Sequence, residues 1–123
     1  MANNAVGWFE IYVQDMARAR RFYESVLQVK LEQLGGPDSE MWSFPMNDDA
    51  FGISGALVRM DSMPSGPGGT LVYFICADCA VEAARVTEAG GTVERPKMSI
   101  GEYGFIATVT DTEGNTIGLH SMA

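Results

Sequence analysis

The sequence predicts an α+β fold: two βαβββ modules forming an eight-stranded open cup within one domain. Three observations carry this expectation. One order of elements, strand, helix and then three strands, runs through the chain twice. A fixed offset of 63 residues, the distance from Asp15 to Asp78, superposes the two runs. Between them, residues 61–69 hold two prolines, three glycines and no core periodicity, which is the composition of a linker. The modules are residues 4–60 and 69–122. A βαβββ unit covers one face of its sheet with its helix and leaves the other bare, so two units can close their bare faces round a shared cavity.

Residues 7–14 read as the first strand, aromatic and β-branched, with Trp8, Glu10 and Tyr12 on one face and Phe9, Ile11 and Val13 on the other. Asp15 is placed to cap a helix over 16–27, in which Met16, Ala19, Phe22, Tyr23 and Val26 recur at spacings of three and four. The helical pattern stops after Gln28. Strands are expected over 29–34, 40–45 and 51–60, with turns at 35–39 and 47–49. The second run opens with a nearly continuous apolar strand over 70–76. Asp78 then stands where Asp15 stood, and a helix over 80–89 stops at Gly90 and Gly91. Strands over 92–94, 103–110 and 115–120 complete the module, the last two joined by a turn over 111–115 with Gly114 placed for positive φ.

Composition narrows the function. A length of 123 residues gives one respectable core, and 46% hydrophobic with 20% charged residues is ordinary for a globular chain. The net charge of −8, from 16 acids against 8 bases, argues against nucleic acid or an anionic membrane as partner, since both demand a basic face. Residues 1–20 lack the basic-then-apolar pattern of a secretory signal, and no stretch is apolar enough to span a membrane, so a cytoplasmic location is expected. Cys76 and Cys79 form a C-x-x-C that reads either as a redox pair or as a strand cysteine followed by one in a helix's first turn. The second reading is favoured, because Asp78 between them would raise a thiol pKa and no second Cys/His pair exists to complete a zinc site. There is no phosphate-binding glycine loop and no activated Ser/His/Asp arrangement.

The run F-E-I-Y-V-Q-D over residues 9–15, leading into A-R-R-F-Y-E-S-V-L over 19–27, resembles the opening strand and helix of the glyoxalase/bleomycin-resistance/dioxygenase superfamily, also called vicinal oxygen chelate proteins. The run D-T-E-G-N-T-I-G-L over 111–119 is similar to that family's closing turn and strand. The resemblance spans essentially the whole chain and implies the paired-module cup and a homodimer. It also implies a divalent metal held by two histidines and a glutamate, acting as a Lewis acid on adjacent substrate oxygens. Carried onto this sequence, those ligands fall at Trp8, Leu71 and Gly118, none of which can coordinate a metal. The standard centre is therefore expected to be missing, with no metal and no other cofactor in its place.

If the ligand positions point into the cup, their alternate neighbours do too. The concave wall then holds Trp8, Glu10 and Tyr12, with Leu71, Tyr73 and Ile75, and with Gly118 and His120. Cys76 points away. Glu10 and His120 read as a hydrogen-bonding or acid–base pair facing a small organic ligand, or as an ion pair that satisfies two polar groups in a partly wet cavity. Trp8, Tyr12, Trp42, Phe44 and Tyr73 are candidates for an aromatic box, with core packing favoured for Phe44. The segment 98–104 is expected either to form a rim loop that turns Tyr103 towards the ligand or to be only a turn. The function reading is a metal-free small-molecule-binding protein. The alternative is a lyase, isomerase or dioxygenase, either metal-free with Glu10 and His120 as catalytic residues or with a rearranged metal site.

Overall fold

The structure is a computed structural model and describes residues 4–35 and 39–123. Part of the expected turn over 35–39 therefore lies outside the described residues. Among the described residues there are eight strands and two α-helices, in the order of two βαβββ modules. By their contacts the residues fall into two units, Trp8–Thr70 and a second made of Leu71–Ala123 with the residues up to Gly7.

In the first unit, β1 (Val6–Tyr12), whose first two residues fall in the second unit, lies parallel to β4 (Gly55–Arg59); β4 pairs antiparallel with β3 (Glu40–Ser43), and β3 with β2 (Glu32–Leu34). Helix α1 (Met16–Leu27) begins where Asp15, in extended conformation, accepts a hydrogen bond from the Arg18 N–H at 3.1 Å. It ends at Gln28, which adopts the left-handed conformation with φ 54° and donates its N–H back to the Glu24 carbonyl. Met16 buries with Leu31 and Leu57, and Ala19, Tyr23, Ile11, Val13, Trp42 and Phe44 pack round them. Phe22 and Val26, expected on this apolar face, are exposed instead. At about 100° per residue the stripe through Met16, Ala19 and Tyr23 points at the sheet and leaves those two on its flank. Expected strand residues 51–54 are also irregular, and Phe51 is fully exposed. The stretch 61–69 folds back on the unit, with the Gly69 carbonyl accepting from the Tyr12 N–H at 2.8 Å.

The second unit repeats the plan. Strand β5 (Thr70–Ile75), which starts at the last residue of the first unit, runs parallel to β8 (Thr116–Ser121), and β8 pairs antiparallel with β7 (Phe105–Thr110), which pairs with β6 (Thr92–Ser99). Helix α2 (Cys79–Val86) is capped by Asp78, which accepts from the Ala80 N–H at 3.0 Å. The Cys79 N–H is satisfied by the Ser121 hydroxyl, also at 3.0 Å. The helix ends three residues earlier than expected, in looser turns that close at Gly90 with φ 99°. Its buried face joins Cys79 and Ala83 to Ala107, Val109 and Leu119, with Phe74, Cys76 and Ile117 beside them. Strand β6 is much longer than the expected 92–94. Its pairing slips between Val93 and Arg95 and again between Arg95 and Met98, where Pro96 has no N–H to give the ladder.

Candidate functional site

In each unit the helix-packed side of the strands identifies the other side by alternation. In the first unit Ile11 and Val13 pack with α1, so Trp8, Glu10 and Tyr12 occupy the opposite face of β1. Hydrogen bonds link these three side chains. The Tyr12 hydroxyl donates to Glu10 Oε1 at 2.8 Å, and the Trp8 indole N–H donates to Oε2 at 3.3 Å. Glu10 is only 9% exposed and pairs across the ladder with Ala56, itself fully buried. Burial pushes its carboxyl above the ordinary carboxylate range, and the two donors pull it partway back. The result is an acid held in an almost dry place by an aromatic pair.

In the second unit Phe74, Cys76, Ile117 and Leu119 pack with α2, which leaves Leu71, Tyr73, Gly118 and His120 on the other face. Leu71 and Tyr73 are buried and His120 is half-buried. A Cβ built on Gly118 would land on the Tyr73 ring carbons Cδ1 and Cε1, so the ring lies directly over the glycine backbone. His120 sits between Ile75 on one neighbouring strand and Ile106 on the other, and its Nε2 is 2.6 Å from the backbone carbonyl of Tyr103. The Tyr103 side chain is more than half exposed, on a single 3-10 turn (Gly101–Tyr103) that follows β6. The sequence offered Tyr103 as a side chain facing a ligand. What meets another candidate residue is its main-chain oxygen, which no residue identity announces.

Glu10 therefore has hydrogen-bond partners in Trp8 and Tyr12, and His120 has one in Tyr103, each within its own unit. The aromatic box is corrected in part. Trp42 packs on the α1 side with the Arg20 guanidinium 3.5 Å over its ring, and Phe44 stacks there between Phe9 and Tyr23. Both serve the helix-side core. Cys76 and Cys79 are free thiols on the α2 side, and burial, with Glu82 nearby, raises the Cys76 thiol pKa away from reactivity.

The residues at the family's metal-ligand positions do not fit a metal. Trp8 and Leu71 supply no donor, and at position 118 the Tyr73 ring takes the space a side chain would need. Among the described residues no group of three or more His, Cys, Asp and Glu side chains is placed to hold an ion. No helix among them is long and apolar enough to cross a membrane.

Two βαβββ units, each with one helix-covered sheet face, define an α+β protein of the vicinal oxygen chelate architecture. The chain belongs to the Glyoxalase/Bleomycin resistance protein/Dioxygenase superfamily, whose family model matches residues 5–119. Solved structures share the fold at low identity. A variant of Streptomyces coelicolor methylmalonyl-CoA epimerase in complex with 2-nitronate-propionyl-CoA is 16% identical with a TM-score of 0.67, over 96% of this chain and 94% of that one. Methylmalonyl-CoA epimerase from Mycobacterium tuberculosis is 16% identical with a TM-score of 0.69, over 97% of this chain and 88% of that one. A superfamily member from Vibrio splendidus is 16% identical with a TM-score of 0.66, over 96% and 99% of the two chains. No curated protein matches the sequence.

Proposed function

We propose that this chain is a small-molecule-binding member of the superfamily that works without the His/His/Glu metal centre. Its candidate residues for a small organic ligand are Glu10, Trp8 and Tyr12 in one unit, and Leu71, Tyr73, Tyr103 and His120 in the other. The observation that carries the reading is Glu10: a carboxylate at 9% exposure, on the sheet face away from the helix, organised by two aromatic donors. An acid placed so is expensive to bury and is poorly explained by packing alone. In both the Trp8 and the Tyr12 bonds Glu10 is the acceptor, which suits a ligand that offers N–H or O–H groups.

A thermal-shift screen of small organic compounds tests the proposal, because a binder raises the melting temperature as RT ln(1 + [L]/Kd) and leaves the compound unchanged. For any compound found, Glu10→Gln or His120→Ala should weaken binding about tenfold or more, since a hydrogen bond to a charged group contributes roughly 1.5–3 kcal/mol. Unchanged affinity in both variants would assign the two residues to structure alone.

A second reading is favoured by the same carboxyl. A carboxyl raised by burial can take a proton from a substrate carbon and return it, the chemistry of an isomerase, and the similar epimerases are isomerases. Chemical conversion of the bound compound, abolished in Glu10→Gln, would select this reading over simple binding. We also propose that the chain acts in the cytoplasm as a homodimer. The two free thiols suit a reducing compartment.

A further inference from the structure

A carbonyl oxygen has no proton to give, so the 2.6 Å contact between His120 Nε2 and the Tyr103 carbonyl requires the hydrogen to sit on Nε2. In the neutral ring Nδ1 is then the lone-pair nitrogen. The carbonyl is itself held by a short, over-determined turn. The Ser99 hydroxyl accepts from the Gly101 N–H at 3.2 Å, the Ile100 N–H donates to the Gly104 carbonyl at 2.8 Å, and the Gly104 N–H donates back to Gly101 at 3.1 Å. Gly101 and Gly104 have φ of 76° and 101°, values that residues with side chains rarely adopt. At Gly104 a Cβ would also run into the Ser121 carbonyl and come within 3.0 Å of the Met122 sulfur. The aim of one main-chain oxygen thus rests on a glycine that nothing can replace without strain.

We infer that the turn spanning Ser99 to Gly104 is a positioning device that locks His120 in the Nε2–H tautomer, so that the ring meets its ligand through Nδ1 as a proton acceptor. This rests on the reading of His120 as a ligand-facing residue, and it adds the class of group that faces it: a hydroxyl, an amide N–H or an amine, or a carbon acid whose proton is to be removed. A bare carbonyl or ether oxygen would find no donor at this ring while it is neutral. Tyr103 and Gly104 are positioning residues here, acting through His120 rather than on the ligand.

His120 is the only histidine in the chain, so its ring nitrogens can be read without assignment ambiguity. Long-range proton–nitrogen NMR on ligand-free, nitrogen-15-labelled protein above about pH 8, past the ordinary imidazole range, is the test. The expected spectrum has a protonated, pyrrole-like Nε2 and an unprotonated, pyridine-like Nδ1. The reverse pattern, or the averaged shifts of a freely exchanging imidazole, would overturn the inference. Gly104→Ala should move both nitrogens towards those averaged values. If that variant does not fold, Ser99→Ala loosens the same turn without a new Cβ at Gly104 and should move them in the same direction. A locked tautomer that survives in the folded variant would show that the turn does not position the ring. Because the measurement needs no ligand, it separates this inference from the binding proposal. A locked tautomer together with a His120→Ala variant of unchanged ligand affinity would leave the turn's hold on the ring standing and overturn the part of the inference that brings Nδ1 to a ligand.

Discussion

Glu10 sits at 9% exposure with burial raising its carboxyl from the ordinary value of 4.5 and the Tyr12 and Trp8 donors opposing the rise. Because the raising influence is the larger, the folded state holds this proton more tightly than the unfolded chain does. The stability linked to Glu10 is therefore fully present below the unfolded value and is lost as pH rises through the folded one. Glu10→Gln removes this dependence. Its melting temperature relative to the parent should shift in its favour between about pH 4 and pH 8, as the parent comes to bury a charge. A difference that stays constant with pH would mean that the carboxylate is not strained by burial. At this scale much of the candidate site was legible. Alternation from Trp8 put Glu10 and Tyr12 on one face, and the same logic sent Cys76 to the other. The Tyr103 carbonyl was not legible, because a main-chain atom carries no signature in the sequence. Phe44 packs in the core as favoured, whereas Trp42 was misplaced as an aromatic-box candidate because an aromatic side chain serves a core and a ligand platform with the same chemistry.

Helix ends were readable because capping is local chemistry. Asp15 and Asp78 both cap as their spacing implied, and α1 stops at Leu27 as its pattern indicated. What ends α1 is a glutamine in a conformation that favours glycine. Gln28 holds φ 54°, with its side-chain amide donating to the Ser25 carbonyl at 2.6 Å on an exposed surface. Gln28→Gly should relieve the backbone strain and raise stability by about 0.5–1 kcal/mol in urea unfolding. A loss of stability would show that the amide bond to Ser25 outweighs the strain. Strand β6 was the element least readable in advance. Glu94, Arg95, Pro96 and Lys97 look like the end of a strand, yet β6 continues to Ser99. Only β7 pairs with it in its unit, so the missing proline N–H is taken up as a slip in register rather than as a break. Lys97 is then used twice, bonded to the Asp78 cap at 2.8 Å and lying over the Phe105 ring.

For the whole molecule, the fold was legible because it is written twice. The offset from Asp15 to Asp78 aligns elements whose letters scarcely match, so pattern carried what identity did not. Homodimerisation, implied by the family resemblance, makes a prediction at this scale. Sedimentation should show a mass of two chains, with dissociation only on dilution, and a single chain at every concentration would refute it. The strands β2 and β6 are poor candidates for joining two copies edge to edge. One is three residues long, and the other carries Arg95, Pro96 and Lys97. The Tyr73 ring over Gly118 bears on something else, the routes by which such a site can change. A carboxylate introduced at position 118 has nowhere to go while Tyr73 stands there, and removing Tyr73 alone opens a void above a bare glycine. Each single step is costly, so the two positions are coupled, and a side chain can enter at 118 only together with a change at Tyr73.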